Sequence, residues 1–149
     1  MLDLENNIIK SPRALVYKIE GGQLLFLLVK EPGGYYTIPG GCKEIEDVDV
    51  LSAIKRELEE ELSLTEKDYE ILKTDIQKIY KNLYSDVTSD RFGKNTVIDL
   101  FVVRCKNEEA IQAASEITKT VWLNEDEVLN TLNANHFKEI FQLGAKTLK

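Results

Sequence analysis

A glycine loop followed by a strongly acidic helix constrains this chain more than any other feature of its sequence. Gly40-Gly41 precedes the run Arg56-Glu57-Leu58-Glu59-Glu60-Glu61. Glu57, Glu60 and Glu61 are spaced at i, i+3 and i+4, so a helix places them on one side. Carboxylates this close repel one another by roughly a few tenths of a kcal/mol per pair. A divalent cation such as Mg²⁺, which prefers oxygen ligands, would offset that repulsion.

The same helix carries an apolar stripe that is separate from its acids. Aspartate is a favoured helix cap, which predicts a start near Asp47 or Asp49 and an end at Leu62. Apolar residues recur at steps of three, four and four, at Leu51, Ile54, Leu58 and Leu62. At about 100° per residue, this stripe lies roughly 100° away from the acids. The helix can therefore pack on a core and still present its acids to a cleft.

Strand-like segments precede and follow this helix. The predicted strands are residues 14–19, 23–29, 35–38, 69–84, 96–103 and 117–123. Two further helices are predicted at 125–130 and 134–146. Several apolar side chains of these elements are expected to face inward, namely Ile71, Ile76, Ile79, Tyr80, Phe137, Ile140, Phe141 and Leu143. Interleaved strands and helices predict an α/β or α+β sandwich.

Length and charge limit the classes of protein that fit this chain. Its 149 residues predict one domain, 1–149. A net charge of −7 argues against a duplex nucleic acid partner, but it allows a small phosphorylated ligand where metal ions reverse the local field. No apolar run reaches the roughly 18 residues of a membrane span, and the first ten residues lack a signal-peptide pattern. Cys42 and Cys105 predict no disulfide framework. We expect a cytoplasmic protein without a membrane partner.

Residues 41–64 resemble the Nudix box, G-x5-E-x7-R-E-U-x-E-E-x-G-U, in which U is a bulky aliphatic residue. The second half matches from Arg56 to Glu61. The box is one residue too long, so its middle acid is either Asp47, replacing Glu, or Glu46. Ser63 also replaces the final glycine. The flanking strands extend the resemblance to nearly the whole chain, and it implies a Nudix-type α/β/α sandwich around a mixed central β-sheet.

The resemblance also implies a reaction and a site. Nudix enzymes typically hydrolyse the diphosphate linkage of a nucleoside diphosphate joined to another group, with Mg²⁺ or Mn²⁺ as cofactor. The implied metal ligands are Glu57, Glu60, Glu61 and the backbone carbonyl of Gly41. The implied catalytic residues are Glu57, Glu60, Glu61 and Arg56, with Arg56 orienting the glutamates. The general base is one of these glutamates or an acid outside the box, Glu44 or Glu116. Substrate contacts are expected from Arg13, Tyr36, Glu44 and Glu116, whereas His136 is interpreted as a surface or capping residue.

Other functions stay open at this point. The imperfect first half of the box is compatible with a Nudix-fold module that binds or senses a nucleotide without cleaving it. A metal-dependent isomerase on a related fold is a third reading, although the chain offers no evident place for its extra segments. Signatures of the ADP-ribose, NADH, dinucleoside polyphosphate and diphosphoinositol subtypes are absent from the sequence. A homodimer is compatible with the resemblance, because many relatives are dimers.

Overall fold

A mixed six-stranded sheet forms the centre of the molecule. The computed structural model describes the backbone of residues 1–149 and all side chains except those of residues 5, 73 and 74. The strands are β1 (Ile8–Glu20), β2 (Gln23–Lys30), β3 (Tyr36–Thr37), β4 (Tyr69–Lys81), β5 (Asn95–Cys105) and β6 (Lys119–Leu123). The helices are α1 (Val50–Leu62), α2 (Glu125–Thr131) and α3 (Asn135–Lys146). The predicted mixed fold class is confirmed.

The course of β1 explains where the glycine loop lies. The sheet runs β3-β2-β1-β5-β4, with β6 also paired to β2, and β1 lies parallel to β5. β1 pairs with β2 only over residues 17–20. Before that point the glycine loop runs along β1, since the Ala14 amide donates to the Pro39 carbonyl over 2.8 Å. The Lys43 amide likewise donates to the Lys10 carbonyl over 2.8 Å, so the loop is fixed at the sheet edge.

Apolar side chains cover both faces of the sheet. On one face, Ile54 and Leu58 of α1 pack in a buried cluster with β-strand residues such as Val16. On the other face, α2 and α3 enclose a second cluster, in which the rings of Phe26 and Phe141 meet edge to face at 5.0 Å. These two layers of helix on one sheet confirm the α/β/α sandwich. None of the described helices is long and apolar enough to cross a membrane.

Both ends of α1 are fixed by local hydrogen bonds. Asp49 is the N-cap, and its carboxylate accepts from the Ser52 amide over 2.7 Å, which selects one of the two predicted starts. Ser63 is the C-cap of the helix and adopts the left-handed conformation, at φ 61°. The family pattern has glycine at this position. The Ser63 hydroxyl donates to the Gln112 carbonyl over 3.2 Å. That bond helps to offset the cost of a left-handed serine, about 1–2 kcal/mol.

Two predicted core residues are not buried. Ile79 is 62% exposed, because Ile76 and Tyr80 of β4 point to the opposite face of the strand, onto the α3 side. Leu143 is 38% exposed. At about 100° per residue, it lies roughly 130° around α3 from the buried stripe that includes Phe141. The predictions for Ile79 and Leu143 were therefore wrong.

Candidate active site

Arg56 ties the loop to helix α1. Its guanidinium grips Asp47 with two hydrogen bonds, Nε to Oδ1 at 3.0 Å and Nη2 to Oδ2 at 2.9 Å. Nη2 also donates to the Cys42 carbonyl at 3.3 Å, while Nη1 donates to Glu57 at 3.0 Å and to Glu60 at 3.1 Å. These hydrogen bonds hold the pKa of Asp47 below its usual range.

The partner of Arg56 settles which acid takes the middle position of the box. Asp47 is 9% exposed and accepts both bonds, whereas the side chain of Glu46 is 72% exposed and lies 3.8 Å from the N-terminal amine. The extra residue of the box therefore lies between Asp47 and Arg56. The lengthened box keeps its internal ion pair.

Glu57 and Glu61 are carboxylates that are largely buried. Glu61 is only 9% exposed, and its Oε1 accepts a hydrogen bond from the Gly40 amide at 3.0 Å. Burial, reinforced by the charge of Glu57, raises the pKa of Glu61 to about 8. Burial also raises the pKa of Glu57, although Arg56 opposes the rise. Two desolvated acids side by side favour the neutral form unless a cation compensates their charge.

The two glycines of the loop allow a contact that other residues would block. Gly40 has φ 145°, and a Cβ there would lie 2.3 Å from the Pro12 carbonyl oxygen. A Cβ on Gly41 would lie 2.5 Å from Oε1 of Glu57. Only glycine lets the backbone approach the carboxylate this closely. The loop and the acids of α1 therefore form one unit.

This unit forms part of the wall of a cleft of about 760 Å³. The cleft collects most of the site residues predicted from the sequence, namely Arg13, Tyr36, Gly41, Glu44, Glu57, Glu61 and Glu116. Among the described residues that line it, Arg56 and Glu60 do not appear. The side chain of Glu60 is 52% exposed and points to Arg56. Arg56 thus touches the acids rather than the cleft.

Other cleft residues were not predicted to form the site. The start of α3 contributes Asn133, Ala134, His136 and Phe137, and the β4–β5 connection contributes Leu83, Tyr84 and Arg91. Burial lowers the pKa of His136, and its ring lies 4.3 Å from that of Phe137. The sequence signal in this region is the aromatic content of residues 80–92, which is compatible with stacking on a base. No spacing rule connects this segment to the box.

The oxygen atoms around Gly41 suit a hard divalent cation. Among the described side chains, no three of His, Cys, Asp or Glu converge into a preformed metal site. Mg²⁺ does not require one, because it is usually held by one or two carboxylates together with waters and substrate phosphates. Glu57, Glu61 and the Gly41 backbone supply such a set at the cleft wall. The residues therefore fit a metal that is completed by its substrate.

Comparison with known proteins agrees with this architecture. The family model of the NUDIX domain matches residues 10–143. This chain belongs to the Nudix family. A search of curated proteins finds no significant match.

Similar solved structures share the fold at low sequence identity. A C. elegans Ap4A hydrolase in a binary complex superposes with a TM-score of 0.77 at 19% identity, covering 94% of this chain and 97% of that one. The NUDIX domain of Shewanella oneidensis NrtR complexed with ADP ribose gives 0.72 at 16% identity, covering 95% and 88%. The E. coli dihydroneopterin triphosphate pyrophosphohydrolase gives 0.73 at 13% identity, covering 90% and 92%. Identities this low establish the fold alone.

Proposed function

We propose that this protein hydrolyses the diphosphate linkage of a nucleoside diphosphate joined to another group, with Mg²⁺ or Mn²⁺ as cofactor. The observation that carries the proposal is the placement of Glu57, Glu61 and Gly41 on the wall of one cleft with Arg13. Family membership supports a hydrolase in general, and the similar structures include an Ap4A hydrolase and a triphosphate pyrophosphohydrolase.

In this proposal the carboxylates of α1 hold the cofactor. Glu57, Glu61 and the Gly41 carbonyl are the ligands on the cleft side, and Glu60 joins them from its exposed position beside Arg56. When bound, the cation lowers the pKa of a water, orients the phosphates and neutralises their charge. Arg56 is a positioning residue, because it fixes the loop and the glutamates without lining the cleft.

The remaining cleft residues bind substrate and move a proton. Water attacks one phosphorus, the bridging P–O bond breaks, and a base takes the proton of the water. Glu44 and Glu116 both line the cleft and are the candidate bases besides the glutamates of α1. Arg13 is held by the Ile38 carbonyl at 3.0 Å and stacks on Phe137 at 5.0 Å. Its guanidinium is thereby oriented to bind a phosphate oxygen.

The test is product release from a panel of nucleoside polyphosphates and nucleoside diphosphate conjugates in Mg²⁺. We expect turnover of at least one substrate and loss of roughly 10²-fold or more in Glu61→Gln, the usual effect of losing a preorganised electrostatic contact. Glu59→Gln is the matched control, because Glu59 is exposed on the same helix. No turnover on any member, or equal rates in the two variants, would overturn the proposal.

A second candidate function is nucleotide binding without hydrolysis. It is favoured by the likeness in fold to the NUDIX domain of Shewanella oneidensis NrtR, which is complexed with ADP ribose. Calorimetry would then show tight nucleotide binding in EDTA that Glu61→Gln leaves unchanged, and the substrate panel would give no product. The single domain, the cytoplasmic location and the homodimer expected from the sequence stay predictions.

A further inference from the structure

The connection between β4 and β5, residues 82–94, forms the cleft wall in which Tyr84 and Arg91 lie. Asn82 directly follows β4 and adopts the left-handed conformation, at φ 51°. Local hydrogen bonds then connect residues within the connection. Asp86 accepts from the Thr88 amide at 3.0 Å and the Thr88 hydroxyl at 2.7 Å. The Lys94 amide donates to the Arg91 carbonyl at 3.2 Å. The connection is therefore a compact turn that can present side chains in fixed positions.

Arg91 and Tyr84 form a pair within this wall. The Arg91 guanidinium lies 5.4 Å from the centroid of the Tyr84 ring, and both side chains are half-buried. A guanidinium stacked on an aromatic ring keeps N–H edges available for other acceptors. The ring thus orients Arg91 and leaves most of its hydrogen-bond donors for a ligand.

Arg91 takes part in no ion pair among the described side chains. Its chain neighbour Asp90 interacts with its charge, but from an exposed position. Partly burying a guanidinium costs solvation that a carboxylate or phosphate usually restores. An anion supplied by a ligand would fill this role, and the planar donor fork of arginine suits phosphate in particular.

A second cation connects Arg91 to the acidic end of the cleft. Arg13 lies in the same cleft, and its Cδ is 2.8 Å from the position of a Cβ on Gly40, whose amide donates to Glu61. Arg13 is therefore beside the acids of α1. Tyr84 and Arg91 line the same cleft. A polyphosphate chain bound at the acids beside Arg13 shares this cleft with Arg91.

We propose that Arg91, oriented by Tyr84, binds a phosphate group that the substrate carries in addition to the diphosphate linkage to be cleaved. The inference rests on the proposed hydrolase function and narrows its substrate class. The extra phosphate is either the end of a longer polyphosphate chain or a phosphomonoester on the ribose. The substrates are accordingly nucleoside triphosphates, or nucleotide conjugates with a phosphorylated sugar.

The test measures binding by calorimetry in Mg²⁺ with probes that cannot be cleaved. The first pair is bis-methylene ATP, in which CH₂ replaces both bridging oxygens of the triphosphate, and α,β-methylene ADP, so its members differ by one terminal phosphonate group. The second pair, adenosine 3′,5′-bisphosphate and AMP, differs only by a phosphate on the ribose. We expect the wild type to bind the richer member of one pair about tenfold more tightly, as one charge-assisted contact predicts. The pair that shows this preference identifies the source of the phosphate.

Substitution of Arg91 decides the role of its side chain. Arg91→Gln should bring the preference to about one by weakening only the richer member, while Arg91→Lys should keep part of it. Arg104→Gln is the control, because Arg104 is a half-exposed arginine whose ion pair, with Glu70, is on the surface. A melting curve establishes that each variant folds, and Arg91→Lys carries the test where Arg91→Gln does not fold.

Several outcomes would overturn the proposal. These are a wild-type preference of about one in both pairs, no binding of any probe, or an equal weakening of both members of a pair in Arg91→Gln. Equal weakening would mean that Arg91 stacks on a base or merely holds the turn in place. Because no probe is cleaved, these results do not depend on turnover. Loss of hydrolysis across the substrate panel overturns the enzyme proposal and leaves the binding preference standing.

Discussion

Two arginines beside the cleft differ in how their charge is balanced. Arg56 contacts Asp47, Glu57 and Glu60 within 3.1 Å and lies behind the acids. Arg91 lines the cleft itself, rests on the ring of Tyr84 and takes part in no ion pair among the described side chains. The first arginine is part of the scaffold. The second is available to a ligand.

This contrast separates the positioning of the acids from the choice of substrate. The contacts of Arg56 are made within residues 42–60, a segment that carries the family pattern. The ring that supports Arg91 belongs to the β4–β5 connection, which is distant in sequence. Changes in that connection could alter specificity while the contacts of Arg56 stay intact. Substitution of each arginine tests whether the two roles are separate.

The largest expected effect is on stability and comes from Arg56→Gln. The change leaves Asp47 and Glu57, whose side chains are only 7% and 13% exposed, without their cation. Removing one partner of a buried ion pair costs about 3 kcal/mol in the free energy of unfolding. Arg91→Gln removes a charge that forms no ion pair among the described side chains, and it should change that free energy by less than about 1 kcal/mol. Urea unfolding of both variants measures the difference.

Arg104→Gln serves as the reference for loss of a surface arginine. Arg104 and Glu70 are each 51% exposed, so their pair should contribute less than about 1 kcal/mol. If Arg56→Gln loses no more stability than Arg104→Gln, the account of Arg56 as the scaffold arginine is wrong.

A smaller effect is expected from Glu61→Gln in metal-free buffer, and it depends on pH. The folded pKa of Glu61, about 8, is above its ordinary value of 4.5. Between these values the folded protein keeps a proton that the unfolded chain has released, so stability falls as pH rises. A glutamine at this position does not titrate and has no such penalty. The variant should gain on the wild type from pH 4.5 upwards, by on the order of 2 kcal/mol at pH 6.

Denaturant titrations at pH 4.5, 6 and 7.5 in EDTA measure this gain. Glu59→Gln, on the exposed side of α1, should show no comparable trend. A difference between Glu61→Gln and the wild type that is constant with pH would show that Glu61 is not held neutral by its surroundings.

Local patterns predicted much of the fold correctly. A cap at Asp47 or Asp49 and the apolar stripe predicted α1, since both depend on residues within a few turns of one another, and the structure has the cap at Asp49. The first part of β1, from Ile8 to Arg13, escaped prediction because Pro12 lacks an amide and is unusual in a strand. β5 lies parallel beside this segment, a long-range pairing that no local pattern encodes.

The sequence predicted some residues of the candidate site and missed others. The spacing of Glu57 and Glu61 placed them on one side of α1, and both line the cleft. The choice between Asp47 and Glu46 needed the contacts of Arg56. Arg91 had no signal of its own, because its place in the cleft depends on how the sheet brings the β4–β5 connection to the box.

Electron paramagnetic resonance of Mn²⁺ tests most directly whether the acids of α1 bind a divalent cation at the cleft. The measurement compares the wild type, Glu61→Gln and Glu59→Gln in the presence of α,β-methylene ADP, which completes the coordination sphere without being cleaved. We predict that the wild type and Glu59→Gln bind Mn²⁺ alike, and that Glu61→Gln binds it at least about tenfold more weakly. Equal binding by Glu61→Gln and the wild type, or no binding by the wild type, would contradict the account.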